Sequence, residues 1–284
     1  MIRLCAFSDE AAKPLGEQIA AMKRNNISLT ELRSVDGVNV KNITVESAKE
    51  YMKELEDSGI AVWAIGSPLG KVDVTVDMTE YLEKVKHICE LANCFKTDKI
   101  RMFSFFNAYD SRDKVLGNLN IMVECAKSFG VELYHENEKD IYGDTAERVL
   151  DILDNVEGLK CVYDPANFLQ CGESAELTLE KIHGRTDYFH IKDVISETGE
   201  LVPAGHGSGR IDKLIEGITD DKVLTLEPHL KVFAGYGTID NTVMKNKFCY
   251  DSNGEAFDAA VSALKGLLTA AGYTENIGIG GFCK

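Results

Sequence analysis

The sequence predicts an α/β chain closed into a (β/α)8 barrel, as one domain over residues 1–284. Three observations carry this. Short apolar runs alternate with amphipathic stretches eight times without a break, and that alternation builds a parallel sheet. The length of 284 residues lies near the roughly 250 typical of a closed eight-unit barrel. No Gly-x-Gly-x-x-Gly follows the first apolar run, so an open dinucleotide-binding sheet lacks its phosphate-cradling turn. No Pro/Ser-rich linker or shift of composition divides the chain.

Each element follows from local pattern. Ile2–Ser8 is the first strand. Pro14 suits a helical first turn and opens a helix to about Asn26, with Leu15, Ile19 and Met22 at helical spacing. Ile27–Val35 is the second strand. Thr44 caps a helix over Val45–Ser58 that Gly59 ends, and Ile60–Ile65 is the third strand. A helix begins at Asp77 or Thr79 with Tyr81, Leu82, Val85, Ile88 and Leu91 on its apolar stripe. Lys99–Phe106 is strand four, and Ser111 starts a helix through Phe129. Strand five is Val131–Asn137, followed by a helix over Asp144–Val156 capped by Asp144. Leu159–Asp164, Tyr188–Lys192 and Val223–Glu227 are strands six to eight. Their helices cover Ala175–Ile182, Ile211–Ile218 and Glu255–Ala271.

Charge and cysteines bound the function. The net charge is −15, from 46 acidic and 31 basic residues, whereas a nucleic-acid binder needs a basic footprint. No apolar run approaches the roughly 18 residues of a membrane span. Asp9 and Glu10 interrupt the N-terminal run, which does not read as a signal peptide. Eight cysteines without a CxxC pair read as reduced, mostly buried small hydrophobes. A cytoplasmic protein is expected.

Four strands end in the same manner: VELYHEN, LKCVYDPAN, YFHIKD and KVLTLEPH. They place Glu136, Asp164, His190 and Glu227 at the carboxyl ends of strands five to eight, the end at which such barrels carry chemistry. Side chains alternate along a strand. If these four point inward, Leu133, Tyr163, Phe189, Ile191, Leu224 and Leu226 point outward, and all are apolar enough to be covered by helices. Three carboxylates and one imidazole suit one divalent ion, Mn²⁺ first, with Mg²⁺, Co²⁺ or Zn²⁺ tolerated. Four ligands leave two octahedral positions for a small hydroxy-ketone. The ion would polarise the carbonyl and stabilise an enediolate. Glu136 and Glu227, from different strands, could then remove and return a proton on opposite faces.

On those residues, and on Pro203–Gly209 followed by Ile211-Asp212, the whole chain resembles the xylose-isomerase-like barrel superfamily, the sugar phosphate isomerase/epimerase group. Within it the chain resembles the ketose 3-epimerases and the inosose dehydratases. The resemblance implies Glu136, Asp164, His190 and Glu227 as metal ligands, with the two Glu as acid/base pair. A sugar or sugar-derived ketone would be the substrate. Relatives often carry a His three residues after the strand-six Asp. Here that position is Asn167, which can hydrogen-bond substrate but cannot take up a proton near neutral pH.

Several further residues are read as substrate contacts, each beside a plainer alternative. Lys192 would point inward beside His190 and bind a hydroxyl or phosphate, or else pair with Asp193 or Glu227. His206 lies in a Gly-His-Gly loop near the mouth. Arg33 would bind a substrate oxygen, or form an ion pair. Trp63, at the end of strand three, would stack on a sugar face or belong to the core. Asn137 would orient a ligand, and His135 would point outward. The same ligand set also fits a dehydratase. An apurinic-site endonuclease would need extra His ligands and a basic groove, and a non-catalytic sugar-binding subunit would not need two carboxylates on an ion. The connection Pro228–Tyr250 is read as a lid or a contact between copies.

Overall fold

Eight parallel strands close on themselves in the computed structural model, which describes residues 1–230, 232 and 248–284. We number them β1 (Ile2–Ala6), β2 (Leu29–Leu32), β3 (Ala61–Gly66), β4 (Lys99–Met102), β5 (Glu132–Glu136), β6 (Lys160–Tyr163), β7 (Tyr188–Ile191) and β8 (Lys222–Leu226). Each pairs with its neighbours in sequence, and β8 returns to β1 with Ile2 opposite Lys222 and Ala6 opposite Leu226. The chain is a TIM barrel.

Helices α1 (Leu15–Arg24), α2 (Val45–Asp57), α3 (Met78–Cys94), α4 (Arg112–Ser128), α5 (Ala146–Asn155), α6 (Pro165–Gln170), α7 (Ala175–Ile182), α8 (Ile211–Glu216) and α9 (Asn253–Ala270) lie outside the strands. Their starts are chemically marked. Thr44 accepts from Ser47 N–H at α2, Asp77 from Thr79 N–H at α3, and Ser252 from Glu255 N–H at α9. Such side chains satisfy backbone donors that a helix start leaves unpaired. No described helix is long and apolar enough to cross a membrane.

The alternation sorts two cores. Leu133, Tyr163, Phe189, Ile191, Leu224 and Leu226 are buried in the large outer core beneath the helices. Cys5, Leu29, Tyr134, Val162, Tyr188 and Val223 form a separate layer inside the barrel. Burying a large aliphatic side chain contributes about 1.5–3 kcal/mol, so this in/out pattern fixes the register of each strand. All eight cysteines are free.

Several boundaries differ from the sequence expectation. The second strand ends at Leu32, and Ser34–Val35 turns back on Val38–Asn39. Strand four ends at Met102, because Phe105 takes a left-handed φ of 71° and the segment bonds to the loop after β3 instead. Phe103 N–H donates to Leu69 O at 2.8 Å and Phe105 N–H to Gly70 O at 2.9 Å. Thr145, not Asp144, caps α5, while the Asp144 carboxylate accepts from Tyr109 and pairs with Arg148. Helix α6 and the C-terminal hairpin of Thr274–Asn276 with Gly281–Cys283 were not anticipated. The hairpin pairs antiparallel with β1, where Phe282 lies opposite Ile2. Of the Pro228–Tyr250 connection, residue 231 and residues 233–247 lie outside the described residues.

The loop after β3 is tied to the loop after β4 by close backbone approach. Gly70 has φ +85°, and a Cβ there would fall 2.0 Å from Phe103 O. Gly70→Ala therefore combines a disfavoured dihedral with a backbone clash. A loss of roughly 3 kcal/mol is expected, to be read as a lower urea midpoint.

Candidate metal centre and active site

Four strands deliver one side chain each to the carboxyl end of the barrel. Glu136 is the last residue of β5, Asp164 follows β6, His190 lies in β7 and Glu227 follows β8. Their ligand atoms all lie within 4.8 Å of one another, and all four residues are buried. His190 Nδ1 is 2.9 Å from Glu136 Oε1 and 3.2 Å from Glu227 Oε2. The structure thus gathers the four residues singled out from the sequence.

Local structure aims each one. Asp164 caps α6, its Oδ1 accepting from Ala166 N–H at 2.8 Å and Asn167 N–H at 3.1 Å. That leaves Oδ2 facing the cluster. Asn137 clamps the Asp164 backbone from both sides, accepting from its N–H at 2.8 Å and donating to its C=O at 2.9 Å. Asn167, buried in α6, donates to Glu136 Oε1 at 3.3 Å and Asn137 O at 2.9 Å. Phe7 sets its ring edge-on to His190, with centroids 5.2 Å apart.

The cluster is a dense array of opposite charges. Arg101, buried on β4, places Nε 3.1 Å from Glu136 Oε2. Lys192 Nζ is 2.8 Å from Asp164 Oδ2 and 3.6 Å from Glu227 Oε2. Arg33 donates through Nη1 to Glu227 Oε1 at 3.0 Å and through Nε to Asp9 at 3.0 Å. Burial disfavours the charge on His190, but the Glu136 and Glu31 carboxylates raise its pKa well above the usual imidazole range. Burial likewise opposes ionised Glu227, yet Lys192 and His190 hold its pKa well below the carboxylate range. For Asp164 burial wins over Lys192, and its pKa is pushed up to about 6.

Removing one buried cation tests this balance. Arg101→Met leaves Glu136 without its closest guanidinium. Breaking a buried pair by removing one partner typically costs about 3–5 kcal/mol. A correspondingly lower melting temperature is expected.

The cluster suits a divalent ion on chemical grounds. Asp164 Oδ2 and Glu227 Oε2 are buried and face the cations Lys192 Nζ at 2.8 Å and His190 Nδ1 at 3.2 Å, so a divalent ion would join positive charge already gathered on them. The donors are three carboxylates and one imidazole, a set for hard and borderline divalent ions. A cleft of about 240 Å³ opens over the cluster, lined by Arg33, Lys71, Arg101, Phe103, Glu138 and Lys192 among others.

The remaining residues from the sequence fall on both sides of that cleft. Lys192 and Arg33 line it, both engaged in ion pairs. Asn167 reaches the cluster through Glu136. Trp63 is not among the residues that line the cleft and packs instead against the inner layer, the core alternative read from the sequence. Thr30 and Glu31 of β2 lie opposite Val62 and Ala64, so Trp63 is the extra residue of a bulge. Its ring packs in the inner layer against Tyr188, with centroids 6.1 Å apart. His206 is exposed and packs on Phe248, with ring centroids 5.1 Å apart, outside the described cleft lining. Its loop instead encloses Asp193. Gly205 and Gly207 N–H donate to Asp193 Oδ2 at 2.8 and 3.0 Å, and Gly209 N–H to Oδ1 at 2.8 Å. A Cβ on Gly207 would lie 2.3 Å from that carboxylate, so the glycines serve backbone approach.

His135 points outward as expected and meets Ser104 Oγ at 2.9 Å; burial lowers its pKa to about 3. Sequence reasoning missed Phe7 and Arg101, and gave Glu31 no place at the cluster. An Arg inside an apolar strand run is a usable signal, because a buried guanidinium needs a carboxylate partner.

Residues 20–231 match the family described as xylose isomerase-like TIM barrel. A 3-dehydroshikimate dehydratase of Bacillus anthracis is 21% identical over 211 residues, 69% of this chain and 75% of that one. An L-ribulose 3-epimerase structure superposes with a TM-score of 0.69 at 18% identity, covering 95% of this chain and 96% of its own. The IOLI protein, solved with a bound zinc atom, superposes with a TM-score of 0.70 at 15% identity, covering 95% and 99%. By fold and by sequence, the chain belongs to the xylose isomerase-like TIM barrel family.

Proposed function

We propose that this protein is a divalent-metal-dependent isomerase or epimerase of a ketose or related hydroxy-ketone. The observation that carries the reading is the convergence of the ligand atoms of Glu136, Asp164, His190 and Glu227 within 4.8 Å of one another, all four residues buried. These four residues would hold the ion. When bound, it supplies Lewis-acid polarisation of a carbonyl oxygen.

The protein's own groups do the rest. Glu227, held ionised by Lys192 and His190 despite its burial, is the base that takes a proton from the carbon beside the carbonyl. Glu136 lies on the other side of His190 Nδ1 and passes to the opposite face a proton taken up from solvent in the cleft, which inverts that centre. Glu227 then releases its own proton to the same solvent. Arg101 Nε at 3.1 Å and Asn167 Nδ2 at 3.3 Å fix the Glu136 carboxylate. Lys192, at the cleft wall, binds a substrate oxygen. Asn167 orients but carries no proton.

A second reading has its own support. The similarity to a 3-dehydroshikimate dehydratase favours a lyase that begins with the same proton abstraction. The electron pair then expels a β-hydroxyl, which leaves as water after taking a proton from Lys192. Product analysis separates the two. The Mn²⁺-loaded protein is incubated with ketoses, inososes and 3-dehydroshikimate, and products are read by NMR and ultraviolet absorbance. A stereoisomer or aldose supports the first reading. A product lighter by one water, absorbing as a conjugated carbonyl, replaces it with the second.

A further inference from the structure

We infer that Glu31 is a positioning residue for the metal centre, selecting which nitrogen of His190 faces the ion. The inference rests on the metal reading above and adds a residue outside the four-donor set. Glu31 lies on β2, across the barrel from the strands that supply the donors, and is fully buried. Its Oε2 is 3.0 Å from His190 Nε2, and its Oε1 accepts from Tyr188 Oη–H at 3.2 Å.

The geometry leaves the imidazole one useful arrangement. Nε2 faces Glu31, whereas Nδ1 faces Glu136 and Glu227. A carboxylate accepts and does not donate, so the Nε2 proton belongs to the Glu31 contact. Nδ1 also points a proton at carboxylates, those of Glu136 and Glu227. An ion bound among them would displace that proton and take its lone pair, while Nε2–H keeps Glu31. Phe7 and Tyr188 set T-shaped contacts on the ring at 5.2 and 5.6 Å, which resist its rotation. Tyr188 also fixes Glu31, so two residues of β7, Tyr188 and His190, share one carboxylate. Arg101 Nε, 3.5 Å from Glu31 Oε1, ties the same carboxylate to Glu136.

Carboxylates that orient a ligating histidine typically account for about 10–100-fold in metal affinity. The test uses the full-length protein, wild type and Glu31→Gln, with Mn²⁺ titrated calorimetrically and the Zn²⁺-loaded forms studied by ¹⁵N NMR. Wild type is expected to show Nδ1 bound to zinc and a slowly exchanging Nε2 proton. Glu31→Gln is expected to raise the Mn²⁺ Kd about 10–100-fold and to speed exchange of that proton. Tyr188→Phe, which keeps Glu31 but removes its phenolic donor, is the second variant should Glu31→Gln not fold. It is expected to weaken binding in the same direction and by less. A folded Glu31→Gln protein with unchanged Kd and an unchanged Nε2 signal overturns the positioning role, even if it melts earlier. Should the Gln variant not fold, an unchanged Kd in Tyr188→Phe overturns it as well. Failure of wild type to bind either ion overturns the metal reading, and the positioning role with it.

Discussion

Glu136→Gln is expected to fold as wild type does and to lose turnover by about 10²–10⁴-fold, the range a positioned acid or base contributes. The isosteric amide preserves volume in a cluster where Glu136 is only 2% exposed. Arg101 Nε still has Glu31 at 3.5 Å, so its charge is not stranded. The amide cannot take up or release the proton, and it is a weaker donor to a cation. Turnover should therefore be measured at saturating Mn²⁺, to separate lost chemistry from lost metal. Near-wild-type turnover under saturation would remove Glu136 from the acid/base pair.

Asp164 allows its two jobs to be separated. Oδ1 caps α6 and Oδ2 faces the donor cluster. Asparagine is as good an N-cap as aspartate. Asp164→Asn should thus retain the cap while replacing the charged donor with an amide. It keeps the cap but breaks the buried pair with Lys192 at 2.8 Å, a loss of typically about 3–5 kcal/mol. It is also expected to lose metal affinity by 100-fold or more (roughly 3 kcal/mol, at about 1.4 kcal/mol per tenfold). Asp164→Ala should lose both, with a further destabilisation of about 1 kcal/mol from the absent cap. Paired thermal melts and Mn²⁺ titrations measure the two effects. Equal metal affinity in Asp164→Asn and wild type would exclude Asp164 from the ligand set.

Much of this was legible in the sequence because period and position carry the information. Alternation within VELYHEN and YFHIKD predicts which side chains enter the barrel, and the apolar partners Leu133, Phe189 and Ile191 do lie outside it. The four donors could be named because each ends its own strand. What stayed hidden depends on contacts between distant segments. Glu31 falls inside the second strand with no local mark, since its partners Tyr188 and His190 are 157 and 159 residues away. Trp63 lies three residues before the end of β3, beside Arg3 and Lys99, at a bulge that no local pattern marks. The Pro203–Gly209 loop resembled a substrate loop. Its glycines admit the Asp193 carboxylate, and a carboxylate ten residues upstream is not a turn signal.

The central claim is that the Glu136–Asp164–His190–Glu227 cluster moves a proton beside a carbonyl when a divalent ion is bound. The most direct measurement is solvent exchange by NMR, with protein in D₂O and a panel of ketoses, ketose phosphates and inososes. It is run on Mn²⁺-loaded and chelator-stripped samples. The account predicts deuterium at the carbon beside the carbonyl of at least one substrate in the loaded sample, and none in the stripped one. Exchange that persists after stripping would contradict the metal dependence. No exchange across the panel, with the ion verified as bound, would contradict the proton-transfer role of the cluster.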